Sequence, residues 1–262
     1  MSYPTETAGQ LADRCRNCGV DLQGAYCHAC GQKHVDGRLD SKALFSQLFE
    51  ALTESDGTLW QTLRKLTRNP GRVALDYIDG GRARYLNPVR FLLVAFTIYF
   101  GLMVLTGAQV DIANRMDMGL DVSELDAATK TFLAYLTSVI ASQMDVVVFF
   151  AIPLLAFVIR WQYFLSRRNY AETFTFVCFV FGLGYLYASL LVPFQFVFDI
   201  SSASPKNVIT GILFIFGART FFAMKWPVTI IAGGLTAIAY FATITGVSMA
   251  IAITEIYLDQ WL

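Results

Sequence analysis

The sequence predicts an all-α integral membrane protein, with about five transmembrane helices behind a small N-terminal module. Three observations predict this fold class. Of the 262 residues, 55% are hydrophobic and only 15% are charged, whereas charged residues make up about 25% of an ordinary soluble domain. Long apolar stretches follow one another from residue 88 to near the C-terminus. Four of the five cysteines are concentrated near the N-terminus, ahead of these stretches.

The N-terminal module follows a polar tail, residues 1–14, that we expect to be disordered. It contains two Cys-x-x-Cys-Gly motifs, whose residues are Cys15, Cys18 and Gly19, and Cys27, Cys30 and Gly31. Two thiolates three residues apart can hold one edge of a tetrahedron if the chain turns tightly behind them, and glycine permits such a turn. The spacing therefore predicts a structural Zn²⁺ site with four cysteine ligands, in a zinc ribbon over residues 15–35. The competing interpretation, a redox dithiol or a disulfide, fits two matched motifs poorly.

Residues 36–87 show short helical patterns and form a predicted cytosolic or interfacial segment. Apolar residues recur at helical spacing over about 42–52, again from Leu59 to Leu66, and after the helix-capping pair Asn69-Pro70. Two interpretations remain open: a cytosolic helical cap that packs on itself or on the inner ends of the spans, or an element bound to the inner leaflet. In both, the start of the first span is anchored at the lipid headgroups by Arg82, Arg84 and Arg90.

Residues 88–262 form the predicted transmembrane domain. A helix needs about 20 apolar residues to cross a hydrocarbon core roughly 30 Å thick. The predicted spans cover about 88–108, 144–165, 171–198, 208–224 and 227–253. The second has an uninterrupted apolar core of only 14 residues, so it crosses the membrane only if the helix continues past Arg160 to Leu165. Arg219 interrupts the fourth.

The distribution of basic residues predicts the orientation. With the N-terminus in the cytoplasm, 17 of the 20 lysine and arginine residues lie on the inner side, as the positive-inside rule requires. The first 40 residues contain no apolar stretch typical of a signal peptide, so we expect none to be removed. Five spans then place the C-terminus on the outer side.

Charged residues near the ends of the spans are candidate functional residues. Arg160, Glu172 and Arg219 are predicted at the inner ends, and one interpretation of them is a role in transport of a small solute or lipid. Each also has a structural interpretation. Glu172 follows Asn169 by three residues and can complete a capping box at the start of a helix, and the two arginines can be interface anchors. The fifth cysteine, Cys178, lies within an apolar stretch and is interpreted as a packing residue.

Several classes of function are disfavoured by what the sequence lacks. The formal net charge is zero, whereas nucleic-acid-binding proteins are strongly basic. The sequence contains no H-E-x-x-H, P-loop, G-x-G-x-x-G or G-x-S-x-G motif. We therefore expect neither a nucleic-acid partner nor an enzymatic activity.

Short motifs near the cysteines and before the first span carry a resemblance to a known family. They are Cys15-x2-Cys18-Gly19, Tyr26-Cys27-x2-Cys30-Gly31-Gln32, Leu66-Thr-Arg-Asn-Pro-Gly-Arg72, Tyr77-Ile-Asp-Gly80 and Arg84-Tyr-Leu-Asn-Pro-Val-Arg-Phe-Leu92. The chain resembles the bacterial zinc-ribbon multi-pass membrane protein family catalogued as domain of unknown function 3667. Asn169-Tyr-Ala-Glu172 is similar to a further segment, which tends to continue with histidine where this chain has Thr173. The resemblance implies a bacterial inner (cytoplasmic) membrane protein and supplies no activity.

The specific motifs lie on the predicted cytosolic side, whereas the membrane domain carries no catalytic motif. We therefore predict that the zinc ribbon and the helical cap recruit or regulate a protein partner on the cytosolic side. The lipid bilayer is the other expected partner, and a homo-oligomer is compatible with the sequence. The alternative is a small-solute or lipid transporter or channel that uses the charges at the inner ends of the spans.

Overall fold

The structure is a computed structural model that describes residues 14–32, 58–106, 127–198 and 203–259. Within these ranges the chain forms helices behind a short ribbon of turns. The α-helices in the described ranges are α1 (Thr58–Arg68), α2 (Pro70–Ile78), α3 (Pro88–Thr106), α4 (Ala127–Gln162), α5 (Tyr170–Phe198), α6 (Ala203–Phe221) and α7 (Trp226–Asp259). Most of the predicted tail, the predicted helix at 42–52 and most of the acidic segment after α3 lie outside the described residues.

α5 is the central helix of the bundle. It contacts α3, α4 and α6, and also α1 and α2. Its apolar stretch is 78% buried inside the protein, compared with 28% for the stretch that includes α3 and 17% for that of α7. A helix that is apolar on all sides is buried by its neighbours or by lipid. α5 is therefore surrounded by protein, whereas α3 and α7 present most of their apolar surface outward.

Three helical stretches in the described ranges are long and apolar enough to cross a membrane. They are Arg82–Thr106, Tyr170–Phe194 and Trp226–Ile251. These stretches correspond to the first, third and fifth predicted spans, and they support residence in a membrane. The predicted total of five is not confirmed. The apolar part of α4, Val146–Gln162, is shorter.

The second and fourth predicted spans differ from the helices in their boundaries. α4 begins at Ala127, well before the predicted start at 144, and it ends at Gln162 instead of reaching Leu165. A 3₁₀ turn over Phe164–Ser166 ends the helix, and Arg167 adopts a positive φ of 56° that redirects the chain into α5. α6 begins at Ala203, five residues before the predicted start, because a proline in the first turn does not interrupt a helix.

The segment before α3 packs against the bundle. We call α1, α2 and the turn Arg82–Arg84 the helical cap. The Tyr187 hydroxyl on α5 donates a hydrogen bond to Thr67 Oγ1 at 2.9 Å, and the Asn69 amide donates to Thr220 Oγ1 on α6 at 3.2 Å. The Tyr77 and Phe179 rings meet edge to face with centroids 5.8 Å apart. Of the two interpretations of this segment, the contacts favour a cap that packs on the spans.

α2 and α6 cross at two glycines. A Cβ atom built on Gly71 would lie 2.1 Å from the carbonyl oxygen of Gly217, so the two backbones touch. Pro70 at the first position of α2 and the Asn69 side chain, which accepts from the Arg72 N–H, start the helix as the sequence predicts. This crossing couples the cap to the membrane domain through backbone contact.

The structure buries only part of the apolar pattern from Leu59 to Leu66 that predicted α1. Leu66 is fully buried, whereas Trp60 is 77% exposed. At 3.6 residues per turn, positions 60 and 66 lie about 120° apart on the helix, so one face that contacts the bundle cannot bury both. The apolar pattern marked the helix correctly, but tertiary packing selected which part of it is covered.

Candidate metal centre

Both cysteine motifs are held by the same backbone turn. The Gly19 N–H donates to the Cys15 carbonyl and the Gly31 N–H donates to the Cys27 carbonyl, each at 2.8 Å. The φ angles of the two glycines are 79° and 70°, in the left-handed region that side chains with a Cβ adopt at a cost. The glycine that follows each cysteine pair therefore has a backbone role in forming the turn.

The four cysteine sulfur atoms converge on one point. All lie within 4.8 Å of one another, with Cys15 Sγ to Cys30 Sγ at 3.6 Å and Cys18 Sγ to Cys27 Sγ at 3.5 Å. A tetrahedral zinc with bonds of about 2.3 Å separates its sulfur ligands by about 3.8 Å. The donor set and its spacing fit a metal ion, and each close pair joins one motif to the other.

The surroundings of the cluster favour the thiolate form at one ligand. A hydrogen bond from the Asn17 side chain lowers the pKa of the Cys30 thiol to about 6, against the opposing effect of burial, and a backbone hydrogen bond from Gln32 lowers it further. The thiolate is the form that binds metal. Cys15 and Cys27 are buried, whereas Cys18 is exposed. One side of the cluster therefore faces the rest of the ribbon and the other faces solvent.

The ribbon is seated on the helical cap through Gln32. Its side-chain amide donates to the Gly80 carbonyl at 2.6 Å, and its side-chain oxygen accepts from the Ala83 N–H at 3.0 Å. Gly80 has a φ of 114°, and a Cβ built on it would lie 2.6 Å from the Cβ of Arg16. Gly80 thus both ends α2 and leaves room for the ribbon. Sequence reasoning noted Gln32 and Gly80 as motif residues but did not find their contact.

The predicted interface arginines have different environments. Arg84 donates a hydrogen bond to the Asn17 carbonyl of the ribbon, so it contributes to docking in addition to its predicted anchoring role. Arg82 and Arg90 are half-buried. Their anchoring at lipid headgroups stays a prediction.

The structure gives contacts for two of the three charged residues that are predicted at the inner ends of the spans. Glu172 forms the predicted capping box: its N–H donates to Asn169 Oδ1 at 2.8 Å, and its carboxylate accepts from the Asn169 N–H at 3.2 Å. The Arg168 guanidinium lies 3.9 Å from the same carboxylate. Arg219 lies over the Trp226 ring, 4.6 Å from its centroid, and Arg160 is half-buried near the end of α4. These contacts match the structural interpretation of Glu172.

A buried lysine is a candidate that the sequence did not reveal. Lys206 is 5% exposed, and its Nζ lies 5.2 Å and 5.4 Å from the ring centroids of Tyr99 and Tyr185. It lies two residues before the predicted start of the fourth span at 208, so the sequence analysis did not single it out. Its one available signal was a lone cation next to an apolar stretch.

Replacing Gln32 by alanine is expected to loosen the ribbon from the cap without removing the metal. The change deletes two hydrogen bonds and leaves the Gly80 carbonyl, just after α2, without its donor. The free energy of docking should therefore weaken by about 1–3 kcal/mol. Hydrogen exchange of the Gly80–Arg84 backbone should accelerate while the metal content stays unchanged. Gln23→Ala, at an exposed ribbon position, is the matched control. Unchanged exchange in Gln32→Ala would contradict this account of docking.

One family model matches part of the chain. A family model described as a protein of unknown function (DUF3667) matches residues 56–100. This match covers α1, α2 and most of α3 and confirms the predicted resemblance to that family. The cysteine ribbon lies outside the matched residues. No curated protein and no solved structure matches the chain.

Proposed function

We propose that the chain is a multi-pass bacterial inner-membrane protein whose cytosolic zinc ribbon and helical cap recruit or regulate a partner protein. The observation that carries the proposal is the physical continuity from ribbon to membrane domain. Gln32 joins the ribbon to the cap, and the Gly71–Gly217 crossing joins the cap to α6. Binding at the ribbon can therefore be transmitted to the helices that contact lipid.

The cytosolic side offers exposed aromatic side chains to a partner. Tyr26 on the ribbon is 61% exposed, and Trp60 on α1 is 77% exposed. Tyrosine and tryptophan are enriched among the residues that dominate binding energy at protein interfaces. A ribbon held in one orientation presents these groups with less ordering cost than a free tail would.

Five spans with a cytosolic N-terminus remain our proposed topology. α6 has 19 residues, about 28 Å at 1.5 Å per residue, and it packs between α5 and α7. α4 has 36 residues, about 54 Å, which exceeds the thickness of the hydrocarbon core. Length therefore permits both helices to cross. The basic residues on the inner side support this orientation.

Zinc is the proposed metal, in a structural role. Four thiolates in tetrahedral spacing favour zinc, and a shell filled by four protein ligands leaves no open position for chemistry. When bound, the ion holds together a ribbon that has few apolar residues of its own. The backbone turns at Gly19 and Gly31 orient the sulfur atoms toward it.

Transport along the inner charges is not proposed as the main function. The carboxylate of Glu172 is 2% exposed and serves the start of α5, which accounts for its position without a substrate. Arg219 is accounted for by its contact with Trp226. An enzymatic activity is not proposed either, because the sequence has no catalytic motif.

The proposal is tested by affinity purification of the full-length protein from membranes. Proteins that copurify with the unaltered chain are compared with those retained by Cys27→Ser, which lacks a metal ligand, and by Cys178→Ala, which does not touch the ribbon. We expect at least one specific partner to be lost from Cys27→Ser and retained by Cys178→Ala. Identical partners in all three would refute recruitment by the ribbon.

A further inference from the structure

α1 exposes a stripe of one aromatic and two basic side chains. Trp60, Arg64 and Arg68 lie at positions i, i+4 and i+8 of the helix, so they share one side of it. Trp60 is 77% exposed, and both arginines are exposed. Thr62 and Leu66 are fully buried, and each is two residues from Arg64, which is about 160° away around the helix. The stripe therefore lies opposite the side of α1 that packs on the protein.

The stripe is positively charged. α1 contains no acidic residue, and in the described ranges neither Arg64 nor Arg68 forms an ion pair. The third basic residue of the helix, Lys65, lies with its Nζ 4.8 Å from the Tyr85 ring centroid. The next acidic residue along the chain, Asp76, accepts a hydrogen bond from the Tyr85 hydroxyl. The two exposed guanidinium groups therefore offer charge and hydrogen-bond donors to an anionic partner.

The contacts of α1 fix its level along the bundle. The Thr62 hydroxyl accepts a hydrogen bond from the Leu86 N–H at 2.9 Å, just before α3 begins. Thr67 accepts one from the hydroxyl of Tyr187, which belongs to the apolar stretch Tyr170–Phe194. In the described ranges, α1 thus contacts two of the stretches that are long enough to cross a membrane. Its exposed stripe faces outward at the level where the first of them begins.

Lipid headgroups match the side chains of the stripe. Tryptophan is enriched where headgroups meet acyl chains, and arginine can keep its aliphatic part on apolar surface while its charged end reaches the headgroups. A guanidinium can donate two parallel hydrogen bonds to one phosphate. Clusters of basic residues beside a membrane span attract anionic lipids. A leaflet fits this surface better than a protein does, because lipid surrounds the spans that hold α1.

We propose that the stripe of Trp60, Arg64 and Arg68 binds anionic phospholipid headgroups of the leaflet in which α3 begins. The two guanidinium groups contact lipid phosphates, and Trp60 lies at the boundary between headgroups and acyl chains. This assignment gives Trp60 to lipid and leaves the ribbon, with its exposed Tyr26, as the surface for the proposed protein partner. The inference therefore does not depend on partner recruitment, and either proposal can fail without the other.

The test measures quenching of Trp60 fluorescence by brominated lipids, with the full-length protein in nanodiscs. The chain has four tryptophans, and replacing Trp161, Trp226 and Trp261 by phenylalanine leaves Trp60 alone. The nanodiscs contain equal amounts of phosphatidylglycerol and phosphatidylcholine, and either the first or the second carries bromine near the headgroup end of its chains. We expect brominated phosphatidylglycerol to quench at least about fivefold more, the preference that one basic residue near an anionic leaflet implies.

Changes at the two arginines separate their charge from their size. In Arg64→Gln/Arg68→Gln the positive charge is removed, so the two brominated lipids should quench Trp60 equally. In Arg64→Lys/Arg68→Lys the charge is kept, so the preference for phosphatidylglycerol should remain. Arg14→Gln is the matched control, because it removes an exposed arginine from the ribbon and should leave the quenching unchanged.

Three outcomes would overturn the assignment. Equal quenching by the two lipids with both arginines present would show that anionic headgroups are not selected. Quenching by aqueous acrylamide, with none by either brominated lipid, would place the stripe in water. Protection from acrylamide and lipid alike would show that a protein covers this side of α1. If the chain with three phenylalanine substitutions does not fold, the quenching lost in Trp60→Phe from the otherwise unaltered protein gives the same comparison.

Discussion

Replacing Cys27 by serine is expected to remove the metal and unfold the ribbon while the helical bundle remains folded. Cys27 is 2% exposed, and its sulfur lies 3.5 Å from that of Cys18 in the other motif. A structural zinc site contributes about 10–16 kcal/mol to the folding of a small domain, and the ribbon has little apolar core to replace it. The bundle has its own core around α5, so it does not depend on the metal.

Two measurements check this expectation. Elemental analysis of purified protein should find about one zinc per unaltered chain and none in Cys27→Ser, and limited proteolysis should cut the variant within residues 14–32. Cys178→Ala is the matched control, because this cysteine is fully buried in α5 and far along the chain from the ribbon. It should keep the metal at a modest cost in bundle stability. Full zinc occupancy in Cys27→Ser would show that the four-cysteine site is not the metal centre.

Replacing Gly71 by alanine is expected to separate the helical cap from the membrane domain. The new Cβ would lie 2.1 Å from the Gly217 carbonyl oxygen and 3.0 Å from the Phe221 nitrogen. Both are backbone atoms, so no side chain can rotate away, and α2 must shift from α6. We expect the free energy of unfolding to fall by about 1–3 kcal/mol or more, measured by reversible denaturation in mild detergent.

Gly101 provides the opposite case for the same substitution. It lies within α3, and no described atom lies within 4 Å of a Cβ built there. Gly101→Ala should leave the free energy of unfolding unchanged or raise it by up to about 1 kcal/mol, because alanine is the better helix former. Equal destabilisation by both substitutions would mean that loss of glycine itself, not the contact with Gly217, is responsible.

The cysteine cluster and the start signals of the helices could be predicted because their causes are local. The turn behind each cysteine pair depends on a glycine one residue away, and the structure forms both turns. The caps at Asn69 and at Asn169–Glu172 likewise involve residues within three positions of one another. Such interactions are visible in sequence spacing.

The contacts that join these elements could not be predicted in the same way. Gln32 meets Gly80 across 48 positions, and Asn69 meets Thr220 across 151. No spacing rule relates residues so far apart. The boundaries of the second and fourth spans were missed for a related reason. Apolar composition marks a membrane-facing stretch, whereas a helix ends where the backbone turns, as α4 does at Gln162, before the 3₁₀ turn over Phe164–Ser166.

Composition and short-range spacing alone determined that the protein is helical, suited to a membrane and equipped with a four-cysteine ribbon. Those properties follow from the polarity of side chains and from interactions within one turn of chain. Only the tertiary structure decided that α5 is enclosed by protein, that the ribbon rests on the cap, and that Lys206 is buried. Each of these depends on which helices become neighbours, and that is set by close packing among residues far apart in the chain.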